Sequence, residues 1–189
     1  MSLSRFMQVI LICAAMSLQA NAQVIEVKQI AIESIEEGYI LNVDFDFELT
    51  TRLHEALNNG TALFFVIEFE LVRPRWYWID EKTVSSRVDI RLSYNSLLHQ
   101  YRLSTGSLHR NFSAFADAFN TMKRIRSWLV FERDKIQPEI SYVAAVRMRL
   151  DTSQLPRPFQ FSAITDRDLS LASSWRRIPF NPDVEQPRQ

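Results

Sequence analysis

The sequence has few of the residues on which many active sites and small exported folds depend. Among its 189 residues it contains three glycines, three histidines and one cysteine. The glycines, Gly38, Gly60 and Gly106, are isolated, so they cannot form the glycine-rich loop that cradles phosphates in nucleotide-binding proteins. Cys13 has no second cysteine to pair with, so no intramolecular disulfide can form and the apolar core must stabilise the fold.

An excess of either charge is also missing. Lys and Arg together number 22, and Asp and Glu also number 22. We therefore expect no nucleic-acid partner and no strong affinity for a membrane surface, because both need a basic excess. Most of the basic residues are arginines, whose planar guanidinium groups suit fixed pairing with carboxylates better than lysine does.

The N-terminal segment has the pattern of a cleavable signal peptide over residues 1–22. Arg5 provides the positive charge, residues 6–18 are mostly apolar, and the small residues at 20–22 form a cleavage signal before Gln23. The apolar stretch is short for a membrane span, and an uncleaved anchor is the alternative interpretation. We predict export to the periplasm and a mature chain that begins at Gln23.

Alternating apolar and polar residues predict a mainly β fold. Residues 39–49, 84–94 and 142–150 each place apolar side chains on one face and polar side chains on the other, as half-buried strands do. Residues 61–72 are apolar on both faces in their first half, which is typical of a central strand. The spacing of Ile136, Pro138 and Tyr142 predicts a tyrosine corner before a late strand of a sandwich.

Two short helices are predicted between these strands. Thr50 or Thr51 is suited to cap the first helix, which would end before Gly60. The second runs from Asn111 or Ser113 to about Ser127, and its apolar face is formed by Phe112, Phe115, Phe119 and Met122.

These segments predict the fold class and the domain boundaries. We expect an antiparallel β-sandwich of immunoglobulin or fibronectin type III character, with the two short helices inserted between strands. It would form a single domain over residues 23–175, followed by a proline-rich flexible tail over residues 176–189.

The candidate binding cluster comprises Arg73, Arg75, Trp76, Tyr77 and Trp78. These residue types dominate the hot spots of protein interfaces, with the aromatic rings as anchors and the arginines as carboxylate clamps. Unbroken alternation from the preceding strand would expose both tryptophans, whereas a bulge at Pro74 would return them to the core. Stacking of the rings on a sugar or small ligand is a third interpretation.

No catalytic or metal-binding motif stands out. The three histidines, His54, His99 and His109, lack zinc spacing, and no serine lies in a nucleophile-elbow motif. The acidic row Asp44, Asp46 and Glu48 could bind a hard cation, but spacing by two is what an exposed strand face produces. We predict instead that this row pairs with outward arginines, either Arg147 and Arg149 or Arg87 and Arg91.

Several motifs together resemble the exported proteobacterial family labelled domain of unknown function 4390. The likeness rests on the sequences at 73–78, 92–95, 100–104 and 149–160 and on Trp175, and it spans nearly the whole mature chain. The resemblance implies an envelope protein, often encoded beside a membrane sensor kinase. It assigns no catalytic residues.

Our leading functional hypothesis is a non-enzymatic interaction module of the envelope, accessory to a membrane sensor protein and working without a cofactor or metal. The alternative is a carrier or sensor of a small apolar ligand that binds between the second helix and the sheet. An enzyme without a recognisable motif is the third hypothesis. The partner, any ligand and the oligomeric state lie beyond sequence inference.

Replacing Trp76 or Trp78 by Ala, one at a time, distinguishes a core cluster from an interface. A tryptophan in the core would cost about 3–5 kcal/mol of unfolding free energy on truncation. A tryptophan in an interface would leave the folding free energy nearly unchanged and would abolish capture of the partner. Chemical denaturation and affinity capture of the same variants measure the two effects.

Overall fold

The computed structural model describes residues 25–75, 81–157 and 171–182. Within them the chain is mainly β. The strands are, in chain order, β1 Glu26–Ser34, β2 Gly38–Asp46, β3 Leu63–Arg73, β4 Glu81–Asn95, β5 Gln100–Thr105, β6 Leu108–Phe112, β7 Arg124–Glu132, β8 Tyr142–Leu150 and β9 Arg176–Phe180. Helix α1 is Thr51–Asn58 and helix α2 is Phe115–Met122, and two single 3₁₀ turns follow β7 and β8 at Arg133–Lys135 and Thr152–Gln154.

The strands form two antiparallel sheets of unequal size. The smaller has three strands in the order β1-β2-β7, and the larger has six in the order β6-β5-β4-β3-β8-β9. Aromatic rings join the sheets: Phe131 of β7 stacks on Phe69 of β3 with ring centroids 5.8 Å apart, and Tyr39 of β2 meets Phe180 of β9 at 5.3 Å. These contacts give a sandwich-like arrangement with the core between the two layers.

Strand β3 lies at the centre of the larger sheet, with β4 on one side and β8 on the other. Its five inward residues are fully buried: Leu63, Phe65, Ile67, Phe69 and Leu71. The alternation predicted for β2, β4 and β8 is observed, because Tyr39, Ile90 and Val146 all belong to the same core cluster. The sequence pattern therefore identified the face of each long strand correctly.

The two helices fill the space beside the smaller sheet. The hydroxyl of Thr50 accepts a hydrogen bond from the Leu53 amide at 3.3 Å, so Thr50 is the N-cap of α1, as one of the two predicted alternatives. Helix α2 contacts β5, β6 and β7. Its Phe119 meets Phe47 at 5.0 Å, so the core continues beneath both helices.

Two local features fix the approach of β7 to its neighbours. Gly38 opens β2 where a Cβ atom would lie 2.3 Å from the carbonyl oxygen of Phe131, so only glycine fits there. The hydroxyl of Tyr142, at the start of β8, accepts a hydrogen bond from the amide of Gln137 at 3.0 Å. The predicted tyrosine corner is therefore confirmed, and it ties the turn after β7 to the strand that follows.

The second helix is shorter than predicted. Residues 108–112 form β6, which pairs with β5 through a hairpin, so the helix begins at Phe115 rather than at Asn111 or Ser113. It ends at Met122, because Arg124 already pairs with Asp44 of β2 as the first residue of β7. Strand pairing overrides the helical spacing at both ends, through the β5–β6 hairpin before the helix and through the pairing of β7 with β2 after it.

The predicted tail is also partly ordered. Arg176–Phe180 forms β9 and pairs with β8 from Tyr142 to Val146, so the domain extends past the predicted boundary at residue 175. Phe180 is buried and Pro179 lies on an edge strand, where the missing amide of proline is tolerated. Residues 183–189, like the predicted signal peptide at 1–22, lie outside the described residues.

Tyr142→Phe should lower the unfolding free energy by about 1–3 kcal/mol, because it leaves the Gln137 amide without its acceptor in a half-buried corner. Tyr94→Phe is the matched control: its hydroxyl bonds His99 at an exposed site, and we expect a much smaller loss. Urea denaturation of both variants measures the difference. Equal losses would mean that the corner bond contributes no more than a surface contact.

Candidate functional site

The outer face of the larger sheet, which points away from the core, holds a row of charges centred on Glu68. The register places Glu68 of β3 between Arg87 of β4 and Arg147 of β8. Arg147 hydrogen-bonds the Glu68 carboxylate, and Arg149 lies 3.6 Å from the same oxygen. The guanidinium of Arg147 also lies 4.5 Å from the centre of the Trp175 ring. Trp175, which contributes to the family resemblance, therefore covers this ion pair.

Glu68 is the carboxylate in this row whose pKa clearly departs from its ordinary value. Partial burial raises the pKa of Glu68, but the hydrogen bond from Arg147 and the positive charges of Arg147 and Arg149 outweigh that effect. Its pKa therefore lies below the ordinary value of a glutamate. The group stays ionised at neutral pH and holds β8 in register with β3.

Arg73 and Arg75, the described members of the predicted binding cluster, lie at the end of the β3–β4 hairpin. Arg73 is the last residue of β3, is half-buried and pairs in register with Glu81. Arg75 is exposed and forms an ion pair with the Glu81 carboxylate. Because β3 ends at Arg73, the strand alternation on which the exposure of the tryptophans was predicted does not continue to them. Trp76, Tyr77 and Trp78 lie outside the described residues, so their proposed role stays a prediction.

The most exposed apolar surface of the described residues lies elsewhere, on an extension of the larger sheet. We define the β5–β6 extension as residues 96–112: β5, β6 and the turns before each strand. Four large hydrophobic side chains are exposed in the described part of the chain, and three of them lie here: Leu97 at 91%, Leu98 at 60% and Leu108 at 76%. The fourth is Leu129 of β7, at 45%.

Local chemistry explains the two turns of this extension. The side-chain oxygen of Asn95 accepts hydrogen bonds from the backbone amides of Leu97 and Leu98, at 3.0 and 3.1 Å. These bonds form the turn, in which both leucine side chains are exposed to solvent. The connection from β4 to β5 comprises the four residues between Asn95 and Gln100. Gly106 has a φ of +56° in the two-residue turn before Leu108, a conformation that glycine adopts readily.

The extension is also free of carboxylates. No Asp or Glu lies between Asp89 and Asp117, whereas Arg91, Arg102 and Arg110 all lie in that stretch. The charge of the whole chain balances, so the acidic residues are concentrated in other parts of the sequence. The extension thus combines exposed leucines with a local positive charge, which are two properties of a protein-binding surface.

The acidic row of β2 has different partners from those predicted. Asp44 pairs with Arg126 of β7 at 2.6 Å, and Asp46 lies 3.4 Å from Lys123 and 3.9 Å from Lys28. The prediction that this row pairs with Arg147 and Arg149, or with Arg87 and Arg91, is wrong because those arginines lie on the other sheet. The alternation correctly predicted the exposure of the row but could not predict which strand is its neighbour.

The three histidines have different surroundings. His54 of α1 is 3.2 Å from the Asn58 amide nitrogen and meets the edge of Phe115, while His99 contacts the Tyr94 hydroxyl at 3.1 Å. His109 is exposed on β6. In the described ranges, no group of three His, Cys, Asp or Glu side chains is placed to hold a metal ion.

The sequence analysis missed the β5–β6 extension as a candidate surface. One signal was available: Leu97 and Leu98 are adjacent apolar residues that closely follow the alternating stretch 84–94, where the polar residues of a turn are usual. The second signal, the long stretch without carboxylates, becomes meaningful only once β6 is known to be the last strand of its sheet.

Comparison with known proteins agrees with the motifs. The family model described as "Domain of unknown function (DUF4390)" matches residues 22–179, which include every described strand except the last residue of β9. The chain belongs to this family. No curated protein and no solved structure matches the chain. Within the residues that the structure describes, neither helix is long and apolar enough to cross a bilayer.

Stability should fall in acid more steeply in the native protein than in Glu68→Gln. Because the folded-state pKa of Glu68 is lowered, its stabilisation is present above the unfolded value of about 4.3 and is lost as pH falls through the folded value. We expect Glu68→Gln to lower the unfolding free energy by about 1 kcal/mol at neutral pH. Below about pH 4 the difference in unfolding free energy between the variant and the native protein should become smaller.

Denaturation midpoints measured from neutral pH down to about pH 2.5 test this expectation. Glu139→Gln, at an exposed position before β8, is the control and should leave the pH dependence unchanged. A parallel pH profile in Glu68→Gln and the native protein would contradict the assignment.

Proposed function

We propose that this protein is a non-enzymatic interaction module of the bacterial envelope that works in the periplasm. The observation that carries the proposal is the concentration of exposed leucines on the β5–β6 extension: Leu97, Leu98 and Leu108. Exposed apolar side chains cost solubility unless a partner covers them, and here they lie beside arginines rather than carboxylates. Export is supported by the signal-peptide pattern at residues 1–22.

We further infer that the sandwich is of fibronectin type III character. The order β1-β2-β7 opposite β4-β3-β8-β9 and the tyrosine corner at Tyr142 both support this inference. In such a domain β5, β6 and α2 would be an insertion between the fourth strand and the strand that completes the smaller sheet. Insertions on a rigid sandwich are common places for binding functions.

The hairpin tip provides a second proposed contact. Arg73 and Arg75 lie at the end of the long β3–β4 hairpin, and the ion pair between Arg75 and Glu81 holds that end together. Trp76, Tyr77 and Trp78 follow directly in the sequence, with the residue types of an interface hot spot. A membrane sensor kinase is the class of partner that the family resemblance suggests.

The alternative function, a carrier of a small apolar ligand, has less support. The rings on the inner side of α2 already contact protein side chains: Phe115 stacks on Phe119 at 5.0 Å and meets Tyr101 at 5.6 Å. Phe119 and Met122 are buried in the core cluster. These rings are packed against one another and against the core, and the carrier hypothesis keeps second place.

Replacing Leu97, Leu98 and Leu108 together by Ser should leave the melting temperature nearly unchanged, because all three side chains are exposed. The same variant should lose about tenfold or more in partner capture, as expected when hydrophobic anchors are removed. Crosslinking in living cells from position 96 followed by affinity purification measures the capture. Leu129→Ser, at the exposed leucine outside the extension, is the matched control and should capture normally. Normal capture by the triple variant would contradict the proposed surface.

A further inference from the structure

Strand β6 is the outermost strand of the larger sheet, and its register with β5 is uninterrupted. It pairs residue by residue from Leu108 opposite Thr105 to Phe112 opposite Tyr101. Its first four residues are exposed and Phe112 is half-buried. Helix α2 follows directly and contacts β5 and β6, which supports the strand from the core side.

The backbone of β6 presents regularly spaced polar groups along this edge. In a two-residue hairpin the closing pair, Thr105 and Leu108, is hydrogen-bonded, and bonded pairs then alternate along the ladder. Leu108, Arg110 and Phe112 therefore direct their N–H and C=O groups toward β5. His109 and Asn111 direct theirs outward, where an added strand would bond them.

The other edges of the described strands carry features that hinder strand addition. Strand β1 has a bulge between Val27 and Gln29, β7 has two register shifts against β2, and β9 contains Pro179. The first half of β4 is bound to β7 through the hydroxyl of Ser86, which donates to the Val130 carbonyl. In β6 the ladder has no bulge and the sequence has no proline or lysine.

The side chains along β6 define what an added strand would carry. Leu108, Arg110 and Phe112 share one face, in the order apolar, cationic, apolar, and Arg110 lies 5.2 Å from the Phe112 ring centre. On the opposite face His109 and Asn111 lie beside Ser104 and Arg102. Directly opposed residues on neighbouring strands interact most strongly, and opposite charges are favoured there.

We propose that β6 accepts an extended acidic segment of a partner protein as an additional strand, an inference that rests on the proposed interaction function. The segment carries a carboxylate opposite Arg110, with apolar residues two positions before and after it opposite Leu108 and Phe112. The outward backbone groups of His109 and Asn111 provide the hydrogen bonds. The absence of Asp and Glu between Asp89 and Asp117 removes the charges that would repel such a segment.

The test uses the full-length protein in the cells that produce it, with a photoreactive aromatic residue in place of Ser107, which is exposed in the turn before β6. His109→Pro removes one outward N–H and is compatible with an edge strand, whereas His109→Ala keeps that N–H and is the matched control. We expect His109→Pro to lower the crosslink yield about tenfold and His109→Ala to leave it nearly unchanged. Mass spectrometry of the crosslinked peptide identifies the trapped segment.

A second variant makes the result independent of how well His109→Pro folds. Arg110→Glu keeps the backbone and reverses the charge, so it should lower the yield about tenfold, while Arg110→Lys should retain most of it. Circular dichroism of each purified variant verifies that the fold is retained.

Each outcome has a distinct meaning. A trapped acidic segment whose capture depends on the 109 amide and on the charge at 110 supports strand addition. Strand addition is overturned if capture of the trapped partner depends neither on the 109 amide nor on the charge at 110, or if the trapped protein is a second copy of this chain. Either result leaves the interaction function standing. If the probe at position 107 traps nothing in a correctly folded and exported protein, the extension is not a binding surface and both proposals for it fail.

Discussion

The three-stranded sheet is too small to cover one whole face of the six-stranded sheet, and much of this structure follows from that difference in size. The face of a sheet is stable when another layer removes it from water, and the smaller sheet contacts the larger one at β3, β4 and β9. Helices α1 and α2 cover the neighbouring part, where Tyr101 and Leu103 of β5 turn inward. Beyond them lies β6, which α2 contacts from the core side, and its first four residues are exposed while Phe112 is half-buried.

Strand β3 is the part of the larger sheet that is best covered. Since β3 is flanked by β4 and β8 and covered by the smaller sheet, its inward residues are fully buried from Leu63 to Leu71. On its outer face Val66 is buried and Glu68 and Glu70 are half-buried, so this face is partly covered and carries a charged row. There Glu68 pairs with Arg147 beneath Trp175, so the ion pair and the ring partly substitute for an apolar cover.

Sequence reasoning succeeded where the determining interactions are local or periodic. Thr50 caps its helix through its own hydroxyl, Tyr142 reaches only as far as Gln137, and strict alternation assigned the faces of β2, β4 and β8. It failed where strand pairing joins distant segments. Arg176–Phe180 was predicted as part of a tail because that end of the chain is rich in proline, but it pairs with β8. Similarly, Asp44 could not be matched with Arg126 before β7 was known to be its neighbour. The cap of the second helix was predicted too early for a more local reason, because Phe112 has helical spacing to Phe115 but belongs to the β5–β6 hairpin.

The same distinction governs the candidate surface. Composition shows that residues 90–116 contain no carboxylate, but a charge imbalance within a buried hairpin or between two sheets would have a structural explanation. The topology removes that explanation for β6, because the strand is outermost, its ladder is regular and its leucine is in solvent. Sheet edges that remain this regular invite pairing with other chains, and natural proteins usually interrupt them, as β1, β7 and β9 are interrupted here. Among the described strands β6 keeps a regular edge beside an exclusively positive stretch, and this combination is the observation from which the added partner strand is proposed.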